Sequence, residues 1–237
     1  MNTHSRFGLY QTLTVLSIPL VIIALYLALI WSPIEVRMGV VQKIFYFHVG
    51  SAWNAFLAFL VVCVCSVLFL KTRKRSYDIV AGVSAEIGVL FTTIVLITGP
   101  IWGRSAWNTW WSWEPRLTTT LILWFIYVAY LMVRKMEGTW EKKARLAAVF
   151  GIVGFLDVPI VFMAIRWWRT KFHPVVFGNG VNQTGGGIEP SMLFTLLFCV
   201  VTMTVVYVVF LQKGIVLEKM KIQLAKCKEI SQEKMTS

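Results

Sequence analysis

Charge is scarce in this sequence of 237 residues: 14% are charged against 57% apolar, and acids number 11 against 23 Lys and Arg. Soluble globular domains carry roughly a quarter charged residues, so this composition excludes one and points to an integral membrane protein. Other signals are missing too. There is no internal repeat, no low-complexity tract and no sign of a second domain. The glycine-rich stretch from Gly178 to Gly187 has neither the Lys-Ser/Thr pair nor the preceding strand of a phosphate loop, and reads as a flexible outer loop. A net charge of +12 would suit nucleic acid, but the basic residues stand in short clusters between apolar stretches, where membrane topology accounts for them.

What is present is apolar length. Six stretches, near residues 10–31, 49–70, 79–101, 117–133, 146–165 and 191–212, each approach the roughly 20 residues that a helical span requires. They are continuously apolar, whereas the strands of a membrane barrel alternate in polarity. The expected fold is therefore all-α: a polytopic integral membrane protein of six transmembrane helices, residues 1–237 forming one membrane domain. The first apolar run is too long for a signal-peptide core and lacks a small-residue cleavage site, so it is expected to be kept. The lysine-rich segment 213–237 is expected to carry the last helix onward as a cytoplasmic tail. Loop charges orient the bundle. Arg6, the run KTRKRS, the group from Arg134 to Arg145 and six tail lysines place 16 basic residues on one side against 7 on the other, which makes the richer side cytoplasmic.

The chain's most unusual stretch lies on the opposite side. Trp102 to Arg116, WGRSAWNTWWSWEPR, holds five of the eleven tryptophans. In a helix, Trp107, Trp110 and Trp111 would share one face and Trp102 and Trp113 another, with Pro115 stopping that helix near Trp113 and opening the next. The expectation is a short amphipathic helix lying across the mouth of the bundle. An aromatic belt at the bilayer interface is one explanation; a flat apolar ligand is another, since belts spread their rings over all helix ends. His48, in KIFYFHVGSAWNAF, and His173, in RWWRTKFHPVVFG, flank the same side. Each alone suits a polar anchor. Together beside an aromatic platform they suit the axial ligands of a haem, with Arg37, Arg104, Arg116, Arg166, Arg169 and Lys171 as candidate partners for its propionates.

These residues resemble a known family. WG, four residues ending in Trp107, then TWWSWEPRLT is similar to the tryptophan-rich WWD signature of haem-handling membrane proteins in cytochrome c maturation. HVGSAWN and RWWRTKFHP, with six spans and this length, are similar specifically to the CcmC family, over nearly the whole chain. The resemblance implies an outward-facing site in the cell inner membrane that binds haem b transiently and non-covalently. It implies His48 and His173 as axial ligands of the iron and Trp107, Trp110, Trp111 and Trp113 under the haem, with Trp102, Glu114 and Arg116 completing the site. It further implies delivery to the haem chaperone CcmE, with the ABC-type pair CcmA/CcmB and the small CcmD as partners, and the role of a carrier rather than an enzyme. This chain has Glu114 where the family usually has Asp, Pro115 at a variable position, and Asn108 where the family usually has Gly.

Other chemistry-bearing residues point less sharply. Cys63, Cys65, Cys199 and Cys227 form no outward pair and no C-x-x-C-H pattern, so covalent attachment of haem by cysteine is not expected. Glu86 and Asp157 are acids within spans, where charge is costly, and would face the bundle interior as part of a path or as packing groups. Two rival functions stay open on the residues: a membrane b-type cytochrome in electron transfer, and a haem exporter whose cavity reaches the cytoplasmic face past Glu86.

Overall fold

The computed structural model describes residues 3–35, 38–168 and 188–236, and every regular element in them is a helix. Helix α1 (Thr3–Tyr26) ends in a π-helical turn, Leu27–Trp31, and a 3-10 turn, Val40–Lys43, leads into α2 (Ile44–Thr72). Then follow α3 (Arg75–Trp107), α4 (Pro115–Lys135), α5 (Trp140–Trp167) and α6 (Pro190–Thr236). All six are long and apolar enough to cross a membrane. The apolar stretches read from sequence mark their middles, and the helices run past them at most ends because charged and aromatic residues also continue a helix in the interfacial region. At 1.5 Å per residue α3 is about 50 Å long, well beyond a hydrocarbon core of about 30 Å. The tail continues α6 as a helix to Thr236.

Connections are tight where the chain allows left-handed backbone. Arg73 (φ 58°) turns α2 into α3, Asn108 (φ 56°) ends α3, and Gly138 (φ 119°) lies between α4 and α5. Up-and-down threading puts the starts of α2, α4 and α6 and the ends of α1, α3 and α5 together; this is the tryptophan end, and the opposite end is the basic one. Helix α2 is central, packing on α3, α5 and α6, while α1 packs mainly on α6 and leaves most of its surface outward. Broad apolar exposure of this kind suits contact with lipid.

The middle of the bundle is solid. Phe59 of α2 and Tyr127 of α4 stack with centroids 3.7 Å apart, and Tyr127 donates to the Gly151 carbonyl of α5 at 3.0 Å. Ser84 of α3 donates its hydroxyl hydrogen to the Ala58 carbonyl at 2.8 Å, so at 2.9 Å it accepts from Tyr207 of α6. Five helices are thereby tied at one level, with their polar groups satisfied inside apolar surroundings.

Candidate functional site

The tryptophan stretch does not form a separate interfacial helix, contrary to the sequence expectation. Helix α3 carries Trp102 and Trp107 in its own last turns and stops there. Asn108 adopts the left-handed conformation, its N–H meets the Arg104 carbonyl at 3.1 Å, and the Thr109 N–H meets the Gly103 carbonyl at 3.4 Å. This is a helix stop of the kind glycine or asparagine makes at small cost, which gives the Asn108 departure a physical reason. Gly103 suits the position beside it: a Cβ there would stand 3.0 Å from the Thr109 carbonyl oxygen, a tight contact where the chain folds back. Residues 109–114 then cross in irregular backbone to Pro115, which opens α4 as expected.

Folding back creates a cavity. Its walls come from α2 (His48, Ala52, Phe56), α3 (Leu96, Gly99, Trp102), the crossing segment (Trp110, Trp111) and α4 (Arg116, Thr120). It is a slot that encloses about 860 Å³ when the space at its mouth is counted. The aromatic rings differ in placement. Trp102 is buried, with its ring centroid 5.9 Å from His48, edge on, and 5.6 Å from Trp107. Trp111 is half-buried and meets Trp113 edge on at 5.7 Å. Trp110 reaches the wall although 61% exposed, whereas Trp113, 75% exposed, does not line the cavity. Glu114 does not line it either and sits at the N-cap position of α4.

His48 is held in a defined way. Thr98 has one hydroxyl hydrogen, donated to the Ile94 carbonyl at 2.7 Å, so toward His48 Nδ1 at 2.9 Å its oxygen accepts. Nδ1 therefore carries a proton, and in a neutral imidazole the lone pair is on Nε2. Sequence reasoning missed Thr98. Its only signal was a hydroxyl followed by Gly99-Pro100 inside an apolar run, and Pro100 has no N–H to give the Leu96 carbonyl in the cavity wall.

The cations separate clearly. Arg116 is half-buried in the cavity wall, and the like charge of Arg166 on α5 acts on it. Arg104 instead bonds the Asn108 side chain, and its carbonyl at 3.2 Å, so it secures the helix stop. His173, Arg37, Arg169, Lys171 and the glycine-rich stretch lie outside the described residues. Chain on both sides of that stretch is at this end: Trp168 closes α5, and Ile188 packs on the cluster containing Trp102.

Two buried indole nitrogens, Trp102 Nε1 and Trp111 Nε1, have no hydrogen-bond partner among the described residues, and both belong to cavity-lining side chains. Buried donors are normally satisfied, so each is available to a bound group. Aromatic walls, an imidazole with a fixed tautomer, spare indole donors and a guanidinium together fit the needs of a haem, which has an apolar macrocycle, an iron and two carboxylates.

The fold and the cavity define a polytopic helical membrane protein with an aromatic-walled pocket at one end. The family model CcmC: Heme exporter protein C matches residues 4–234, and the chain belongs to that family. It is 35% identical to a cytochrome c biosynthesis ccmC-like mitochondrial protein of Marchantia polymorpha over 173 residues, 73% of this chain and 72% of the relative. Heme exporter protein C of Bradyrhizobium diazoefficiens is 32% identical over 177 residues, 75% of this chain and 66% of the relative. The protein of that name from Escherichia coli (strain K12) is 27% identical over 175 residues, 72% of this chain and 69% of the relative.

Proposed function

We propose that the chain binds haem b transiently and without covalent attachment at the tryptophan end, then hands it to an acceptor outside the membrane. The observation that carries this reading is the convergence on one slot of His48, four lining tryptophans of the WWD-like stretch and Arg116. His48 and His173 are the proposed axial ligands; the part of His173 rests on the family resemblance and on both flanks of its segment standing at this end. Trp102, Trp107, Trp110 and Trp111 hold the macrocycle, and the outermost, Trp113, with Glu114, faces the acceptor. Arg116 meets a propionate, which would relieve its repulsion from Arg166. The acceptor is a CcmE-like chaperone that bonds haem through its own histidine, and CcmA/CcmB with CcmD complete the machinery. The site faces the periplasm of a cell inner membrane, the termini are cytoplasmic, and the chain is a carrier and assembly factor rather than an enzyme.

Passage of haem through the bundle is the weaker reading. Glu86 does line a cavity at the basic end, yet that cavity shares no residue with the tryptophan slot. Between them stand Phe59, Tyr127, Ser84 and Tyr207, packed and hydrogen-bonded across five helices.

Haem content and absorption spectra of purified protein test the proposal. His48→Ala or His173→Ala should weaken retention, and the double variant should lose the low-spin spectrum because the iron has lost both protein ligands. An unchanged spectrum in the double variant overturns this ligation.

A further inference from the structure

The second large cavity, about 1440 Å³ counting its open side, is a cleft at the basic end. Its floor is α3. One wall is α4 with the start of α5, the other α6, and α4 and α6 each pack on α3 while making little or no contact with each other. The cleft therefore opens sideways, toward lipid. Five basic and three acidic side chains line it. Two of the acids are already engaged. Asp78, buried, accepts from both Arg134 nitrogens and from Trp140 Nε1 at 2.8 Å, and Glu218 pairs with Lys221 at 3.5 Å. Gly82 makes the first arrangement fit: a Cβ there would lie 2.7 Å from the Arg134 guanidinium, which passes over the helix at that point.

That leaves three cations from three helices. Arg75 lies over the Trp140 ring at 5.0 Å, and Lys135 and Lys143 have no ion-pair partner among the described residues. Helices α3 and α5 both begin at the cleft without a side-chain cap, and each carries one acid in its first turn, Asp78 and Glu141, that offsets its positive dipole end, so the three cations set the sign of the field. Deeper down the lining turns apolar. Ile79 and Val83 follow on the floor and Leu131 on the α4 wall, and Glu86 closes the deep end about 16 Å below Arg75. A soluble anion would use only the charged mouth. A phosphate carrying acyl chains uses both parts.

We infer that this cleft is a binding site for the headgroup of an acidic phospholipid, its phosphate held by Arg75, Lys135 and Lys143 and its chains descending between α4 and α6. The site takes the lipid from the leaflet at the basic end. It does not depend on what the tryptophan end binds.

The test uses the full chain in neutral detergent, with thermal midpoint and native mass spectrometry as readouts. Dioleoyl phosphatidylglycerol in mixed micelles should raise the midpoint and remain bound, while dioleoyl phosphatidylcholine and inorganic phosphate should do neither. The double variant Lys135→Gln/Lys143→Gln should bind phosphatidylglycerol on the order of 10- to 30-fold more weakly, at the usual attraction per lysine near a headgroup. The tail control Lys219→Gln/Lys226→Gln should keep wild-type binding. Glu86→Gln should keep or tighten it, since it removes a negative charge. If the double variant fails to fold, Lys143→Gln alone and Glu86→Gln still carry opposite expectations. Equal stabilisation by the two lipids, an equal effect of inorganic phosphate, equal losses in cleft and tail variants, or loss of binding in Glu86→Gln, as a partner helix paired to that acid would give, each overturns the inference.

Discussion

The two ends of the bundle use the same helices for opposite purposes. At the basic end polar groups are brought together to satisfy one another: Asp78 has two partners of its own, and no lining side chain of that cleft has a buried polar atom left over. At the tryptophan end buried polar atoms have no partner among the described residues, among them both Gln42 amide atoms, Trp102 Nε1, Trp111 Nε1 and Thr118 Oγ1. Such atoms cost stability, on the order of 1–3 kcal/mol each. A fold tolerates that cost where something else completes the bonds. On the proposed reading, the cleft at the basic end satisfies its own buried polar groups and keeps surplus charge, while the tryptophan end leaves donors and acceptors that a bound haem would meet.

The largest expected effect breaks the comparison on its self-sufficient side. Arg134→Ala leaves Asp78 buried with only the Trp140 indole, and removal of one member of a buried pair costs about 3–5 kcal/mol. Unfolding in detergent should show that loss, while haem content per folded molecule stays at the wild-type level. A fall in haem content of the folded fraction would mean that the two ends are coupled.

An intermediate effect sharpens the other side by ranking the tryptophans. Replacing a fully buried large side chain forfeits about 1.5–3 kcal/mol of contact. Trp111→Ala should therefore lower haem content most clearly, Trp110→Ala less because that ring is 61% exposed, and Trp113→Ala least because it is 75% exposed and off the wall. Trp113→Ala should act on transfer to the chaperone instead. Equal haem loss in all three variants would return the stretch to an aromatic belt.

The smallest effect concerns orientation alone. Thr98→Val removes the acceptor that fixes the His48 tautomer, and loss of such a supporting bond weakens a metal–imidazole site about tenfold. Thr98→Ser should restore it. Haem titration and the midpoint potential of the bound iron would both report the change, and a Ser variant as weak as Val would show that Thr98 only packs.

How much could be read in advance follows from range. The number of helices, the Pro115 start of α4 and the helical tail were legible because apolar run length, proline's fixed φ and helix propensity act over a few residues. The interfacial helix was misread for a local reason too. Tryptophan periodicity predicts a helix, whereas Asn108 in left-handed backbone stops α3 at Trp107. Likewise Arg104, counted as a ligand cation, is spent on that stop.

By itself, then, the sequence determined a six-span helical chain, its charge asymmetry, and a tryptophan-rich crossing beside His48. Only the tertiary structure decided which polar groups meet. Asp78 and Arg134 are 56 positions apart, and His48 and Thr98 are 50 apart. No periodicity links such pairs. They are set by which helix faces pack together, and packing is chosen by the sum of contacts over the whole bundle rather than by any one stretch of it.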